Sequence, residues 1–206
     1  MERTLIDVTV PLVPGRVPLY PGDTELTVER QQSLHDGGVN VSRLELSAHC
    51  GTHVDAPVHF LAGAGGIETV PLDVLVGPCE VVDATGPEGH LDAAAVRALE
   101  LGGGTERVLL RTRGGALWDG PRFSADFPAL TGDGAAALVE RGVRLVGIDY
   151  LSIAPFDDPA PAHEVLLRAG VVVVEALDLG GGAPGGVGVS WLPLLVAGGG
   201  RGPPRG

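Results

Sequence analysis

Three histidines and one aspartate fall within eleven residues of this chain, in the stretch His49-Cys50-Gly51-Thr52-His53-Val54-Asp55-Ala56-Pro57-Val58-His59-Phe60. Imidazole nitrogens and carboxylates are the usual ligands of zinc and related divalent ions, so this segment has the chemistry of a metal site. Its spacing constrains the backbone. On a helix, at about 100° per residue, His49 and His53 would lie near each other while Asp55 and His59 pointed to the far side. Pro57 would also break a helix interior. In a strand all four share one face, but at ~3.3 Å per residue His49 and His59 would stand ~33 Å apart. The chain must therefore bend, and Gly51 and Ala56-Pro57 are the places that permit it.

Two later residues carry compatible chemistry. Glu175 comes directly after the four valines of Val171–Val174, and a charge at the end of a wholly apolar strand emerges at a sheet rim, where sites collect. His163 follows a proline-rich loop at the start of a short helical pattern. Tyr20, Phe60 and Trp118 either form an aromatic wall for an aryl substrate or pack in the core. Thr52 and Ser152 are candidates to orient carboxylates. Cys50 either lines a pocket or is a small buried hydrophobe.

The elements that must position these groups follow from periodicity. Leu5–Val10, Thr24–Arg30 and Val41–Ala48 read as strands, the last delivering His49. Val70–Ala84 holds one or two strands with Gly77-Pro78 as a break. Leu91–Leu101 reads as a helix with Asp92 near its start, and Thr131 caps a second helix that runs to Glu140 and stops at Gly142. Val108–Thr112, Val143–Asp149 and Val171–Val174 are buried strands, Pro161–Ala169 a short helix, and Val187–Ala197 a final strand pair. The strand-rich first half followed by alternating helices and strands predicts a single α/β domain over residues 1–206, with a mixed sheet or barrel-like β core and flanking helices. Residues 197–206 are expected to be a flexible tail.

Composition excludes several classes. The net charge is −12, from 26 acidic against 14 basic residues, so no basic surface exists for nucleic acid. The chain contains no lysine, which removes Schiff-base chemistry, a Ser-Lys dyad and a P-loop. Its two cysteines cannot build a disulfide framework. No apolar run reaches the ~18 residues of a membrane span, and the first residues lack a signal-peptide pattern. A cytoplasmic protein that touches no membrane is expected.

The motif His-x-Gly-Thr-His-x-Asp-Ala-Pro-x-His-Phe resembles the signature of the metal-dependent cyclase family, which includes bacterial kynurenine formamidases and isatin hydrolases. The resemblance extends over nearly the whole chain, through Tyr20-Pro21-Gly22-Asp23, Gly147-Ile148-Asp149-Tyr150-Leu151-Ser152, His163, Leu166-Leu167, Glu175 and Leu192-Pro193-Leu194. It implies a swivelling β/β/α fold. It implies that His49, His53 and Asp55 hold a first metal, and that Asp55 bridges to a second held by His163 and Glu175. His59 is then the general base and acid. Zn2+ leads as the ion, with Mn2+ as the alternative, at one or two per chain, and a homo-oligomer (dimer or tetramer) is implied. The chain departs from the family at Ser152-Ile153-Ala154-Pro155, where Ser-Val-Asp is frequent.

Together these features predict a metal-dependent amidohydrolase acting on a small aromatic amide, such as an N-formyl arylamine. A hydrolase of a cyclic amide such as isatin, a biosynthetic cyclase, and a non-catalytic metal or small-ligand binding protein are the alternatives.

Overall fold

The computed structural model describes residues 4–86, 89–119 and 123–203. Two strands, β1 (Thr27–Gln32) and β2 (Val41–Glu45), form an antiparallel ribbon with every residue exposed. The remaining elements build one seven-stranded sheet and the helices that cover it. In chain order these are β3 (His53–Asp55), α1 (Leu72–Leu75), β4 (Val76–Asp83), α2 (Ala93–Ala98), β5 (Arg107–Arg111), α3 (Gly132–Glu140), β6 (Leu145–Ile148), α4 (Ala160–Arg168), β7 (Val172–Glu175), β8 (Gly185–Ser190) and β9 (Arg201–Gly202). The strand order is β8-β4-β5-β6-β7-β3-β9. Strands β4 to β7 are parallel, and β8, β3 and β9 pair antiparallel to their neighbours. This is the mixed α/β sheet with flanking helices that the alternation of elements predicts.

Side-chain alternation divides the core in two. Val108, Leu110, Val146, Ile148 and Val173 face α2, α3 and α4. Leu109, Leu145, Val172 and Val174 face the other way, onto Val54, Ile67, Leu177 and Trp191. The helix starts follow their caps. The Asp92 carboxylate accepts from Ala95 N at 2.8 Å, and the Thr131 hydroxyl from Gly134 N at 3.2 Å, each satisfying a backbone donor that the helix leaves free.

Several elements differ from the sequence reading. Leu5–Val10 is not a strand; only Thr9 bridges, to Leu177. Gly77-Pro78 does not break β4. Pairing with β8 runs straight through Pro78↔Gly188, while pairing with β5 begins only at Glu80, so no neighbour needs the N–H that Pro78 lacks. The final strand pair reduces to Gly185–Ser190. The expected flexible tail is corrected as far as residue 203: Arg201–Gly202 is buried and adds a strand beyond β3. Its approach is fastened by Ala56 N to Gly200 O at 2.9 Å and Ile67 N to Gly199 O at 3.1 Å. Backbone bonds made by glycine carry no hydrophobic pattern, so composition alone cannot reveal them. Residues 204–206 lie outside the described residues.

A single tight contact tests the helical layer. A Cβ on Gly134, at the start of α3, would stand 2.1 Å from the Leu91 carbonyl oxygen. That oxygen is held by Thr131 N at 3.1 Å. Gly134→Ala should destabilise the fold by roughly 1–3 kcal/mol, read as a lower urea midpoint at unchanged m value.

Candidate metal and substrate site

The site is assembled by strand register. In β3, His53 lies opposite Glu175 of β7, and Asp55 lies opposite Arg201 of β9. Directly paired residues share a face, so all four side chains project from the same side of the sheet. It is the helical side, because Asp55 also pairs with Val173 of the helix-facing core. There α4 adds His163. The bends at both ends of β3 fall where the spacing requires them: Gly51 has φ +68°, and Pro57–His59 forms a 3-10 turn after Ala56. A side chain at Gly51 would be strained by its φ and would also strike Leu12.

His53, Asp55, His163 and Glu175 are essentially excluded from solvent. His53 Nδ1–H donates to the Gly51 carbonyl at 2.8 Å, leaving Nε2 at 3.1 Å from Glu175 Oε2. His163 Nδ1–H donates to the Pro159 carbonyl at 2.7 Å, and its Nε2 lies 3.0 Å from Glu175 Oε1 and 3.4 Å from Asp55 Oδ2. Ile153 N–H donates to Glu175 Oε1 at 2.8 Å. The Arg201 guanidinium reaches into the same cluster, with Nε 2.8 Å from Asp55 Oδ1 and Nη1 2.9 Å from His53 Nε2. Arg201 also contacts His59 Nε2 through Nη2.

Charge sets the protonation states. Burial would raise the Glu175 and Asp55 pKa values, but the Arg201 charge and the imidazole of His163 hold both carboxyls below the usual range. Burial would lower His163, but the Asp55 and Glu175 carboxylates beside its Nε2 overcome this and raise it to about 10. His49 and His59 are both pushed down to about 4, chiefly by burial, with the Arg201 charge adding to it. They are uncharged at neutral pH.

The donor set fits a divalent ion. Both Asp55 oxygens are buried with no well-directed hydrogen bond; the close Arg201 Nε approaches Oδ1 at an angle that makes a charge contact only. Ligand atoms of His53, Asp55 and Glu175 all lie within 4.8 Å of one another, and so do those of Asp55, His59 and His163. Asp55 belongs to both triads. A buried carboxylate with unused lone pairs among imidazoles is what a cation site presents.

Beside this cluster opens a cavity of about 150 Å³, bordered by Tyr20, His49, His59, Phe60, Ser152 and Arg201 among others. The cavity wall therefore combines aromatic and polar side chains.

Comparison with known proteins decides the family. The family described as "Cyclase" matches residues 6–155. The chain belongs to the cyclase family. It is 36% identical over 204 residues to the kynurenine formamidase of Salinibacter ruber, covering 98% of this chain and 95% of that protein. A structure described as a potential metal-dependent hydrolase with cyclase activity shares 32% identity, with a TM-score of 0.82 over 97% of this chain and 94% of that one. A predicted metal-dependent hydrolase from Bacillus stearothermophilus shares 31% identity, with a TM-score of 0.81 over 97% and 95%. At 20% identity, an isatin hydrolase shares the fold, with a TM-score of 0.80 over 97% of this chain and 89% of that one.

Within this cyclase-family site, the structure brings together most of the residues singled out by sequence. His53, Asp55, His163 and Glu175 meet in one cluster. His49 stands beside it: its ring stacks on His53 with centroids 5.6 Å apart, and its Nδ1 lies 3.5 Å from Asp23 Oδ2. His59 sits in the second triad and also at the cavity. Tyr20 and Phe60 border the cavity, Phe60 stacking on His163 with centroids 4.2 Å apart. Trp118 is set back: its indole N–H donates to the Leu177 carbonyl at 3.0 Å and its ring packs on Tyr150. Cys50 packs with Val17 and Leu26 as a small buried hydrophobe. Thr52 orients backbone rather than carboxylate, donating to Ala176 O at 2.5 Å and accepting from Val10 N at 3.0 Å. Ser152 Oγ accepts from Ala154 N at 3.2 Å. Sequence reasoning misses Arg201. Its only sequence signal is that it is one of two arginines, with Arg205, in a glycine-proline run of a strongly acidic chain.

The raised His163 pKa links stability to pH. An unfolded imidazole titrates near 6.5, so the stabilising proton contributes fully below that pH and is lost as pH rises through about 10. In the presence of a chelator, the urea midpoint should fall between pH 7 and pH 10, and the fall should be shallower in His163→Gln.

Proposed function

We propose that this chain is a metal-dependent amidohydrolase that cleaves the C–N bond of a small aromatic amide, with an N-formyl arylamine such as N-formylkynurenine as the leading substrate. The observation that carries this reading is the convergence of His53, Asp55, His163 and Glu175 in one buried cluster, which His163 joins to a cavity lined also by Tyr20, Phe60 and an uncharged His59. The similarity to a kynurenine formamidase along nearly the full chain supports it. In this reading His49, His53 and Asp55 hold one ion, and Asp55, His163 and Glu175 hold a second where two are bound. Imidazole and carboxylate ligands suit Zn2+ first and Mn2+ as the alternative.

When bound, such an ion acidifies water and polarises a carbonyl oxygen. The chain's own groups do the rest. Tyr20 and Phe60 flank the aryl ring. His59 is uncharged at neutral pH, so its Nε2 can take a proton and return it to the departing nitrogen. Buried Glu175, held by Ile153 N–H and by His163, keeps the ligand imidazoles in orientation. Phe60, stacked on His163, keeps water from that side of the cluster.

The test is formate release from N-formylkynurenine, with isatin and other cyclic amides in the same panel. Activity should vanish on chelation and return with Zn2+ or Mn2+. His59→Ala should lower kcat by about 10²–10⁴-fold while metal content stays unchanged. Tight metal binding with no amide turned over would leave only a metal-binding protein.

We further propose that the chain acts as a cytoplasmic homo-oligomer, a dimer or tetramer. Among the described residues no helix is long and apolar enough to cross a membrane. The β1–β2 ribbon carries Val28, Val41 and Leu44 on exposed positions, and a two-stranded ribbon gains little stability without a surface to cover it. Light scattering should give a mass of at least two 21.0 kDa chains; a monomer at micromolar concentration would refute it.

A further inference from the structure

Arg201 holds the atoms that a metal ion would need. Its position is dictated by backbone pairing, not by a side-chain choice: β9 sets Arg201 opposite Asp55, so the guanidinium must project onto the site face. Only 7% of the residue is exposed. Nε contacts Asp55 Oδ1 at 2.8 Å, Nη1 donates to His53 Nε2 at 2.9 Å and lies 3.6 Å from Glu175 Oε2, and Nη2 meets His59 Nε2.

These contacts compete with a metal for the same electrons. His53 Nδ1–H is committed to the Gly51 carbonyl, which leaves a single lone pair, on Nε2. A guanidinium N–H can only donate. That lone pair therefore meets Arg201 or an ion, never both. Charge adds a second exclusion. A divalent ion among His53, Asp55 and Glu175 would lie within a few ångströms of the guanidinium, in a site with almost no solvent to screen the repulsion.

We infer that Arg201 is a built-in competing cation, occupying His53 and Asp55 in place of the metal, and that metal loading moves its guanidinium off both. The inference rests on the metal-dependent reading above and adds an internal rival for the site. The strand need not move. Gly200 and Gly199 carbonyls anchor the β9 approach to Ala56 and Ile67, and the side chain borders the 150 Å³ cavity that can receive it. In the displaced position the guanidinium faces the cavity rather than the ligands. It then stands beside Tyr20 and His59, as a cation available to a bound anion.

Arg201→Met keeps an unbranched apolar stem and removes the charge. Calorimetric titration should show Zn2+ binding ~10-fold or more tighter in Arg201→Met than in the natural chain, and thermal melting in chelator should show the variant less stable by ~5 °C or more, because Asp55 and Glu175 lose a counter-charge. Arg201→Lys, which keeps the charge but loses the fork, should bind Zn2+ with an affinity between the two. Equal or weaker Zn2+ binding by Arg201→Met overturns the inference while leaving the metal-dependent reading intact. Zn2+ bound by neither protein overturns both. If the variants fail to fold, a crystal structure of the zinc-loaded natural chain decides: a guanidinium beyond hydrogen-bond reach of His53 Nε2 supports the inference, and one still bonded to it overturns it.

Discussion

Two carboxylates, Asp55 and Glu175, are buried side by side on the helical face of the sheet, and each is less than 2% exposed. Isolated buried carboxylates cost many kcal/mol or give up their charge. These keep theirs because cationic and hydrogen-bonding groups meet them from every side: Arg201 from β9, His163 from α4, and the Ile153 N–H from the segment after β6. The arrangement is close to neutral, with two carboxylates against one guanidinium and one imidazolium. A divalent ion would bring the same two positive charges, so exchanging one set for the other changes little in the net charge of the buried site.

The fold is shaped to hold that balance. Register does most of it, since sliding β3 by one residue would turn His53 and Asp55 away from the helical face and put Val54 there. The corner after Glu175 is strained. Ala176 has φ +59°, which costs a residue with a side chain on the order of 1 kcal/mol. Thr52 Oγ donates to Ala176 O, and Ala176 N donates to Tyr150 O at 2.7 Å, so the strained corner is fastened from both sides. Asp149 fastens the neighbouring strand ends. Buried and raised in pKa by that burial, it accepts from Thr112 N and Oγ at 2.8 and 2.6 Å and ties the end of β6 to the end of β5.

The two aromatic rings that border the cavity come from different segments of the chain. Tyr20 belongs to the loop before β1 and packs with Phe123 and Phe156, while Phe60 follows β3 and covers His163. His59 borders the same cavity, edge-on to both His49 and His163. Its low pKa follows chiefly from burial, with the neighbouring guanidinium as a further cause, so the cation that steadies the carboxylates also keeps this imidazole free of a proton.

Much of the site was legible because its residues are dense and chemically loud. The motif from His49 to Phe60 announces ligands and its own bends, and a charge after four valines marks a strand end. Caps at Asp92 and Thr131 and the valine runs gave the helices and buried strands for the same local reason: hydrogen bonds and periodicity act over a few residues. Sequence could not say which partner each residue meets across the sheet. His49 paired with Asp23, Trp118 turned toward Leu177, and Thr52 spent on backbone all depend on contacts tens of residues away or more. Arg201 is the clearest case. Its segment has no periodicity, and its order comes from backbone pairing with β3, 146 positions earlier at Asp55. Pairing of that kind is specified by the space left at a sheet edge, and only the assembled tertiary structure defines that edge.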